Sequence, residues 1–291
     1  MPQAEKSNNK INSQSDNKGE KGNMEKIGLL AGAGRLPVEC AIAAKALGYE
    51  VYAVALLAET DKELREHVTD YAEINVAKVG SIFKFLKKHG VTQVTMLGKV
   101  TKELLFSGKH ALPDLTTIKI LASMRNHKDD TMMLSVVRAI ENEGFKVADQ
   151  TILLKPLMPK AGQITKLKPT PEQLADMEFG MKMAKAIGGL DVGQTVVVKD
   201  MAVMALEAIE GTDACIERGG KLARGGAVVA KTAKPDQDMR FDVPAVGLKT
   251  LEVMASVGAK ALVIEAEQTL LVDREKVVAF AEKNGITIVA M

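Results

Sequence analysis

The chain has 291 residues, of which 46% are hydrophobic and 26% are charged, and its net charge is +2. This composition is typical of a globular protein with two domains. The near-neutral charge and the 3% of aromatic residues argue against a nucleic-acid partner. Cys40 and Cys215 are the two cysteines, and their apolar contexts predict buried free thiols rather than a disulfide framework.

Residues 1–25 form a polar tail rich in Asn, Ser, Lys and Gly, which we expect to be disordered because it has little apolar surface to bury. The tail has no apolar segment typical of a signal peptide, and no run elsewhere in the sequence reaches the length of a membrane span. We therefore expect a cytoplasmic protein.

Ordered structure is predicted to begin at Lys26, where short apolar strands start to alternate with helical segments. A glycine-rich turn separates the first strand from the first helix. This order predicts an α/β domain with a Rossmann-like parallel sheet over residues 26–155. Strands are predicted at 27–31, 49–56, 71–76, 94–97 and within 145–154, and helices at 38–47, 80–89, 116–124 and 131–142.

The glycine-rich turn at 32–37 reads Gly-Ala-Gly-Arg-Leu-Pro. Gly32, Gly34 and Leu36 are candidate contacts to a phosphate at the N-terminus of the helix that follows. The dinucleotide-binding fingerprint has a third glycine, which is missing, so the turn departs from the site of a nicotinamide-dependent oxidoreductase. A tight turn without a ligand remains an alternative.

Further candidate residues of the first domain follow strands or precede helices. Lys99 follows the strand at 94–97, and ligands of parallel sheets bind beyond such strand ends, although a solvated lysine is the alternative. Asp130 lies at the start of a helix, where a carboxylate either caps the helix or contacts a ligand. The apolar run at 104–106 either joins the core or touches an acyl chain or a lipid surface.

Three prolines and a glycine mark a linker at 156–169, and a mixed α/β domain is predicted at 170–291 with a cleft between the two domains. Thr170, Pro171 and Gln173 predict a helix that begins with a capping box. Further strands are predicted at 195–198 and 202–209, paired as a hairpin, and at 227–233, 261–265, 269–272 and 286–290, with helices at 213–218, 248–256 and 274–283.

The stretch at 231–247 reads KTAKPDQDMRFDVPAVG and has no hydrophobic period. Its two prolines bracket three aspartates, Asp236, Asp238 and Asp242, which predicts an ordered polar loop. A ligand-binding loop and a solvated surface connection are equally consistent with this composition.

Thr212 and Asp213 open a predicted helix, where they either cap it or leave its N–H groups to an anion. Together with the aspartates at 231–247 they offer oxygen atoms of the kind that suits Mg²⁺, which binds one or two carboxylates plus substrate phosphates. Hydrolysis of a phosphoanhydride requires a cation, a base that orients water and a site that excludes solvent. The spacing of these residues is compatible with such hydrolysis but does not by itself establish it.

Seven longer segments match a known family, and the EGTD and KPDQDMRFDVPAVG parts of the last two are specific to it. The seven segments are IGLLAGAGRLP, GKVTKELL and KDDTMML in the first domain, LMPKAGQITKLKPTPEQLADMEFG across the linker, and LDVGQTVVV, ALEAIEGTDACIERGG and AKTAKPDQDMRFDVPAVG in the second domain. Together they resemble the LpxI-type UDP-2,3-diacylglucosamine pyrophosphatases of lipid A biosynthesis in Gram-negative bacteria. The resemblance covers residues 26–291 and leaves the polar tail outside.

The resemblance implies a Mg²⁺-dependent hydrolase that cleaves UDP-2,3-diacylglucosamine to UMP and 2,3-diacylglucosamine 1-phosphate (lipid X), with water attacking the α-phosphorus. It also implies a homodimer that is peripheral on the cytoplasmic face of the inner membrane and holds its lipid-linked nucleotide sugar between two domains. A nucleotide-sugar-binding or lipid-binding protein without turnover is the alternative from another class.

The essential aspartate of the family falls on Asp242, which we predict as a metal ligand or general base. Asp213 is predicted as a catalytic residue and second metal ligand, and Asp238 as a further catalytic residue, with an ion pair to Arg240 or a lysine as its alternative role. The predicted substrate contacts are Gly32, Gly34, Leu36, Lys99, Asp130, Gln194, Thr212, Lys234, Gln237 and Arg240.

Overall fold

The computed structural model describes residues 24–100, 112–123, 129–235 and 237–291, without the side chains of residues 123 and 129–132. Four sequence-based expectations therefore lie outside the described residues: the tail at 1–23, the apolar run at 104–106, Asp236, and the contacts of the Asp130 side chain. Among the described helices, none has the length and apolarity that crossing a bilayer would require.

The first domain is a parallel α/β unit, as the alternation of strands and helices predicts. Its strands follow the order β3-β2-β1-β4-β5, and every described pair in this sheet is parallel. The strands are β1 Lys26–Ala31, β2 Glu50–Ala55, β3 Asp70–Glu73, β4 Gln93–Leu97 and β5 Lys146–Val147. The helices are α1 Leu36–Ala46, α2 Val79–Lys88, α3 Leu115–Ser123 and α4 Asp129–Asn142.

The stretch predicted to hold a strand, 145–154, contains β5 at its start, but helix α5, which the sequence did not predict, occupies Thr151–Leu154. The side chain of Asp149 causes the change, since its Oδ1 accepts hydrogen bonds from the backbone N–H and the hydroxyl of Thr151 at 2.7 and 2.6 Å. A local bond of this kind turns the chain away from the sheet. A 3-10 turn at Lys155–Leu157 follows.

The second domain contains a mixed sheet in the order β6-β13-β11-β9-β7-β8. β9, β11 and β13 are parallel, whereas β6 and β7 run antiparallel to their neighbours, and the predicted hairpin of β7 and β8 is confirmed. The strands are β6 Gly162–Gln163, β7 Thr195–Lys199, β8 Ala202–Leu206, β9 Val228–Lys231, β11 Ala261–Ile264 and β13 Thr287–Ala290.

Four helices are described in the second domain, and the first of them confirms the predicted capping box. The Thr170 hydroxyl accepts from the Gln173 backbone N–H, and the Gln173 side chain accepts from the Thr170 N–H. β6 lies within the stretch predicted as a linker, so part of that stretch forms an edge strand. The helices are α6 Pro171–Gly189, α7 Thr212–Ala223, α8 Leu248–Ser256 and α9 Arg274–Lys283.

A two-stranded parallel ribbon, β10 Ala245–Val246 with β12 Leu270–Leu271, lies between the two domains. Neighbouring residues of a strand face opposite sides. Leu270 therefore packs in the core of the first domain together with Ala245, while Val246 and Leu271 belong to the core of the second. Phe241, which precedes the ribbon, also packs against the first domain. The C-terminal part of the 231–247 loop is thus held by both domains.

Candidate active site

A cleft of about 740 Å³ lies between the two domains and is lined by residues of both. On the first domain it is bounded by the β1–α1 turn and the end of β4, which are neighbours in the parallel sheet. Strand order reverses at β1, since β2 lies on one side of it and β4 on the other. Ligands of such sheets bind beyond the strand ends at this switch point, so the cleft occupies the position that the fold favours for a ligand.

The first-domain wall is built by the close approach of two glycines. Ala33 and Lys99 exchange backbone hydrogen bonds of 2.9 and 2.8 Å. A Cβ at Gly32 would lie 2.7 Å from the carbonyl oxygen of Lys99, and Gly98 has a φ of +91° against the same turn. Gly32 therefore allows the two segments to meet without itself lining the cleft.

Three predicted contacts of the first domain do line the cleft. They are Gly34, Leu36 and Lys99. Arg35 lies beside them, but its guanidinium is 2.5 and 2.7 Å from the carboxylate of Glu63 and 3.3 Å from that of Asp61. The hydrogen bond from Arg35 lowers the pKa of Glu63 to about 2. Much of the positive charge of Arg35 is thus balanced before any ligand binds.

The second-domain wall contains the N-terminus of α7. Gly211 is the N-cap residue, with a φ of +82°, and no side chain caps this end of the helix. One of the two sequence alternatives, a cap by Thr212 or Asp213, is therefore wrong. Both residues line the cleft, and Asp213 lies 3.4 Å from the ammonium of Lys249. The first N–H groups of a helix lack intrahelical acceptors and attract anions.

Asp242, in the loop at 231–247, also lines the cleft. Its Oδ2 accepts a hydrogen bond of 2.7 Å from the side-chain amide of Gln237, and its backbone N–H donates to the carbonyl of Asp238 at 3.0 Å. The side chain of Asp242 is exposed. Gln237 therefore acts on the orientation of this carboxylate and does not itself line the cleft.

Asp238 faces Arg240 instead of the cleft. Its carboxylate accepts from the Arg240 guanidinium at 3.0 and 2.7 Å and from the Arg240 backbone N–H at 3.1 Å. The hydrogen bond from Arg240 holds the pKa of Asp238 below its usual range. Arg240 also lies 3.3 Å from Glu141 of α4. The ion pair that the sequence offered as an alternative is thus present, and it braces the turn that presents Asp242.

Two further predicted contacts lie beside the loop and outside the cleft lining. The ammonium of Lys234 is 2.7 Å from Asp191, and its backbone N–H donates to Gln237 at 2.9 Å. The Gln194 carbonyl accepts from the Thr232 N–H at 3.0 Å, and its side-chain oxygen is buried without a partner among the described residues. These residues hold the base of the loop.

Two buried charges belong to the site although the sequence did not single them out. Lys231, the last residue of β9, lines the cleft at 6% exposure and donates to the Thr212 hydroxyl at 3.2 Å. Glu207 is 7% exposed and accepts from the same hydroxyl at 3.0 Å. Burial lowers the pKa of Lys231, while the charges of Glu207, Asp213 and Asp242 oppose that shift.

The donor set of the cleft suits a metal that is shared with a phosphate ligand. Asp213 and Asp242 supply two carboxylates, and Glu210 supplies a third that is bound to Arg218. No group of three or more His, Cys, Asp or Glu side chains within the described ranges is arranged to enclose a metal ion. Mg²⁺ does not need such a cage, because it typically keeps one or two carboxylates with phosphate oxygens and water. These residues fit Mg²⁺ in that form.

Fold and site together define a two-domain α/β protein with an interdomain cleft, in which carboxylates, lysines and a helix N-terminus face a common space. The model of the LpxI N-terminal domain matches residues 26–157, and that of the LpxI C-terminal domain matches residues 160–289. The UDP-2,3-diacylglucosamine pyrophosphatase LpxI of Caulobacter vibrioides is 34% identical over 279 residues, which are 92% of this chain and 98% of that protein. The chain belongs to the LpxI family.

Similarity to solved structures is much lower. The N5-carboxyaminoimidazole ribonucleotide synthetase of Thermotoga maritima is 16% identical with a TM-score of 0.24, over 64% of this chain and 42% of that one. A structure titled glycinamide-RNase-transformylase T, from Mycobacterium tuberculosis, is 14% identical with a TM-score of 0.24, over 64% and 44%. This chain thus spans less than half the length of either protein, and at these TM-scores neither match defines a shared fold.

Proposed function

We propose that this protein hydrolyses the pyrophosphate bond of UDP-2,3-diacylglucosamine, giving UMP and 2,3-diacylglucosamine 1-phosphate (lipid X) in lipid A biosynthesis. One observation carries the proposal: Asp242, Asp213 and the uncapped N-terminus of α7 face the same interdomain cleft. Membership of the LpxI family and the name of the Caulobacter relative support the choice of substrate.

In this mechanism the diphosphate lies against the first turn of α7, where backbone N–H groups, including that of Thr212, offer hydrogen bonds. Lys99 adds a positive charge from the first domain. Asp242 accepts a proton from water, and Gln237 restricts the orientation of its carboxylate. The water oxygen forms a bond to the α-phosphorus, the bond from that phosphorus to the bridging oxygen breaks, and UMP and lipid X leave.

Mg²⁺ is part of the proposal, with Asp213 and Asp242 as the residues that hold it. When bound, it supplies charge that neutralises the phosphate oxygens. Asp242 is thus proposed both as a ligand and as the base. A comparison of Mg²⁺ affinity for the wild type with that for Asp213→Asn and Asp242→Asn separates these roles, because a base that is not a ligand leaves affinity unchanged.

The test is release of UMP from UDP-2,3-diacylglucosamine with Mg²⁺ or with a chelator. We expect turnover with Mg²⁺ and a loss of at least about 10³-fold in Asp242→Ala, because that variant lacks the proposed base. Wild-type protein that binds the substrate and releases no UMP would instead be the non-catalytic binding protein. Near-normal turnover in Asp242→Ala would remove Asp242 from its assigned role.

We also propose peripheral contact with the cytoplasmic face of the inner membrane, through the outer face of α3. Leu115, Ile118 and Leu121 are 77%, 49% and 46% exposed and are spaced three residues apart, so they lie along one side of this helix. Lysines of α2 line the neighbouring groove, and apolar residues beside basic ones suit an anionic lipid surface.

We further propose that the protein is a homodimer, and sedimentation equilibrium measures its oligomeric state.

A further inference from the structure

We propose that Lys231 binds the diphosphate of the substrate, and that Glu207 is a positioning residue that holds Lys231 through the hydroxyl of Thr212. The inference rests on the proposed function, because it names the residue on the second-domain wall that meets the phosphates. It depends on the local geometry of three strand ends and one helix start.

The sheet of the second domain brings the three residues together at one edge. Lys231 ends β9 and lies opposite Thr195, the first residue of the antiparallel β7. Glu207 follows β8, and its backbone N–H donates to the Thr195 carbonyl at 2.8 Å. Thr212 then begins α7 on the same edge. Lys231 is therefore adjacent to Glu207 and to the N-terminus of α7, although it lies 19 residues after Thr212 in the sequence.

The hydrogen bonds between these side chains have a single direction. The Lys231 ammonium donates to the Thr212 oxygen at 3.2 Å, and the Thr212 hydroxyl donates to Oε1 of Glu207 at 3.0 Å. A hydroxyl has one hydrogen and two lone pairs. Because the carboxylate accepts that hydrogen, the lone pairs of Thr212 are directed to the lysine. Glu207 thus orients Lys231 without touching it.

Lys231 retains donors that can reach a ligand. An ammonium has three N–H groups, and the described contacts use one of them, for Thr212. The residue lines the cleft at 6% exposure. The long side chain is therefore immobilised by packing, while its charged end borders the space in which we place the diphosphate. A preorganised cation in a water-poor site stabilises phosphate charge more than a solvated lysine does.

Glu207 shows that this cluster is more than a stabilising ion pair. Its Oε2 is buried and has no hydrogen-bond partner among the described residues. A buried carboxylate with an unsatisfied oxygen is costly. Glu207 lies where its charge balances that of Lys231 as long as no anion is present. Its backbone also packs closely against Gly193, where an added Cβ would lie 2.1 Å from the Glu207 carbonyl oxygen.

The two walls of the cleft each present a lysine. Lys99 comes from the first domain and Lys231 from the second, and their charges repel one another across the cleft. A diphosphate between them removes that repulsion and attracts both. An anion with two charged groups, rather than a single carboxylate, fits this arrangement.

The experiment measures the kcat and KM of UMP release and, separately, the affinity of the Mg²⁺-loaded protein for inorganic pyrophosphate. For Lys231→Met we expect a fall of about 10²-fold in kcat/KM and weaker pyrophosphate binding, because a charge-assisted contact is lost. Lys231→Arg keeps the charge and should recover part of both. Glu207→Gln keeps the acceptor for Thr212 but removes the balancing charge, and we expect about a 10-fold fall in kcat/KM.

Lys199→Met is the matched control, because Lys199 ends the neighbouring strand β7 and donates to the Ala223 carbonyl at 2.9 Å, away from the cleft. It should lower stability without changing pyrophosphate affinity. Wild-type kcat/KM and pyrophosphate affinity in Lys231→Met overturn the inference, as does an equal loss in Lys199→Met. If Lys231→Met does not fold, the kcat/KM and pyrophosphate affinity of Lys231→Arg and Glu207→Gln test the inference instead. If the wild type releases no UMP, the proposed function fails, and pyrophosphate binding still tests Lys231.

Discussion

The backbone N–H of Gln150 donates to the carbonyl oxygen of Met239 over 3.0 Å, which joins the first domain to the loop that carries Asp242. The side chain of Gln150 donates to the carbonyl of Met96 in β4. Gln150 is 3% exposed. One buried residue therefore connects the strand that leads to Lys99 with the loop on the other side of the cleft. These hydrogen bonds link the two walls of the cleft.

Gln237→Ala should lower turnover without a large change in KM. The variant loses the 2.7 Å hydrogen bond to Asp242 and the 2.9 Å bond from the Lys234 backbone, so the carboxylate is free to take orientations that do not reach the water. We expect kcat to fall about 10-fold, which corresponds to about 1.4 kcal/mol. Gln93→Ala is the control, because Gln93 starts β4 and bonds Glu25 far from the cleft. Unchanged kcat in Gln237→Ala would contradict this role.

Gly193→Ala should destabilise the protein, whereas Gly189→Ala should not. A methyl group at Gly193 would lie 2.1 Å from the carbonyl oxygen of Glu207, so the backbone must shift, while no heavy atom lies within 4 Å of the corresponding position at Gly189. We expect a loss of about 1–3 kcal/mol in the free energy of unfolding for the first variant. The second should be neutral or more stable, because alanine restricts the unfolded chain. Urea denaturation measures both, and equal effects would refute the packing argument.

The ion pair of Arg35 and Glu63 should contribute a pH-dependent part of the stability. The pKa of Glu63 is about 2 in the folded protein and returns to its ordinary value of 4.5 on unfolding. A carboxyl with a lowered pKa stabilises the fold above its unfolded value, and the contribution is lost as the pH falls from about 4.5 to about 2. The difference in Tm between wild type and Glu63→Gln should therefore shrink as the pH falls through that window. The exposed Glu66→Gln is the control. A difference in Tm that stays constant with pH would show that the ion pair does not cause that difference.

Charges on the outer face of α3 should weaken membrane binding and leave the chemistry intact. We expect the double variant Ile118→Glu, Leu121→Glu to float less with anionic vesicles, because membrane binding would then bring carboxylates instead of apolar side chains to the lipid surface. Release of UMP from detergent-dispersed substrate should not change. Leu174→Glu on α6, where Leu174 is 40% exposed, is the control for an added charge elsewhere. Unaltered flotation of the double variant would exclude this face.

The alternation of apolar strands with glycine-terminated helices predicted the first domain well, because such local signals agree with the final packing. The strand predicted within 145–154 shows their limit. Periodicity in a short apolar run does not distinguish a strand from a buried helix. The Asp149 side chain decided between them through a bond to Thr151.

The candidate site was predictable where its chemistry lies on loops and helix starts. Gly34, Lys99, Thr212, Asp213 and Asp242 all line the cleft. Physical reasoning indicated the kind of site, and the family resemblance selected Asp242 from the three aspartates of the loop.

Lys231 and Glu207 could not be found in the same way, because both lie within stretches predicted as strands, 227–233 and 202–209, where a single charged residue does not indicate a buried site. Their burial depends on three strand ends and α7 meeting at one edge, which is a property of the tertiary structure. The partners of Arg35 were missed for the same reason, since Asp61 and Glu63 lie beyond the following strand.

The ribbon of β10 and β12 contributes side chains to the cores of both domains. Leu270 fills the core of the first domain, while its neighbour Leu271 fills that of the second. A fragment that ends at Leu157 would lack this side chain and Phe241 as well, and it would expose the apolar surface that they cover. We therefore expect a packing defect in either core to disturb the loop of Asp242 and so to lower hydrolysis.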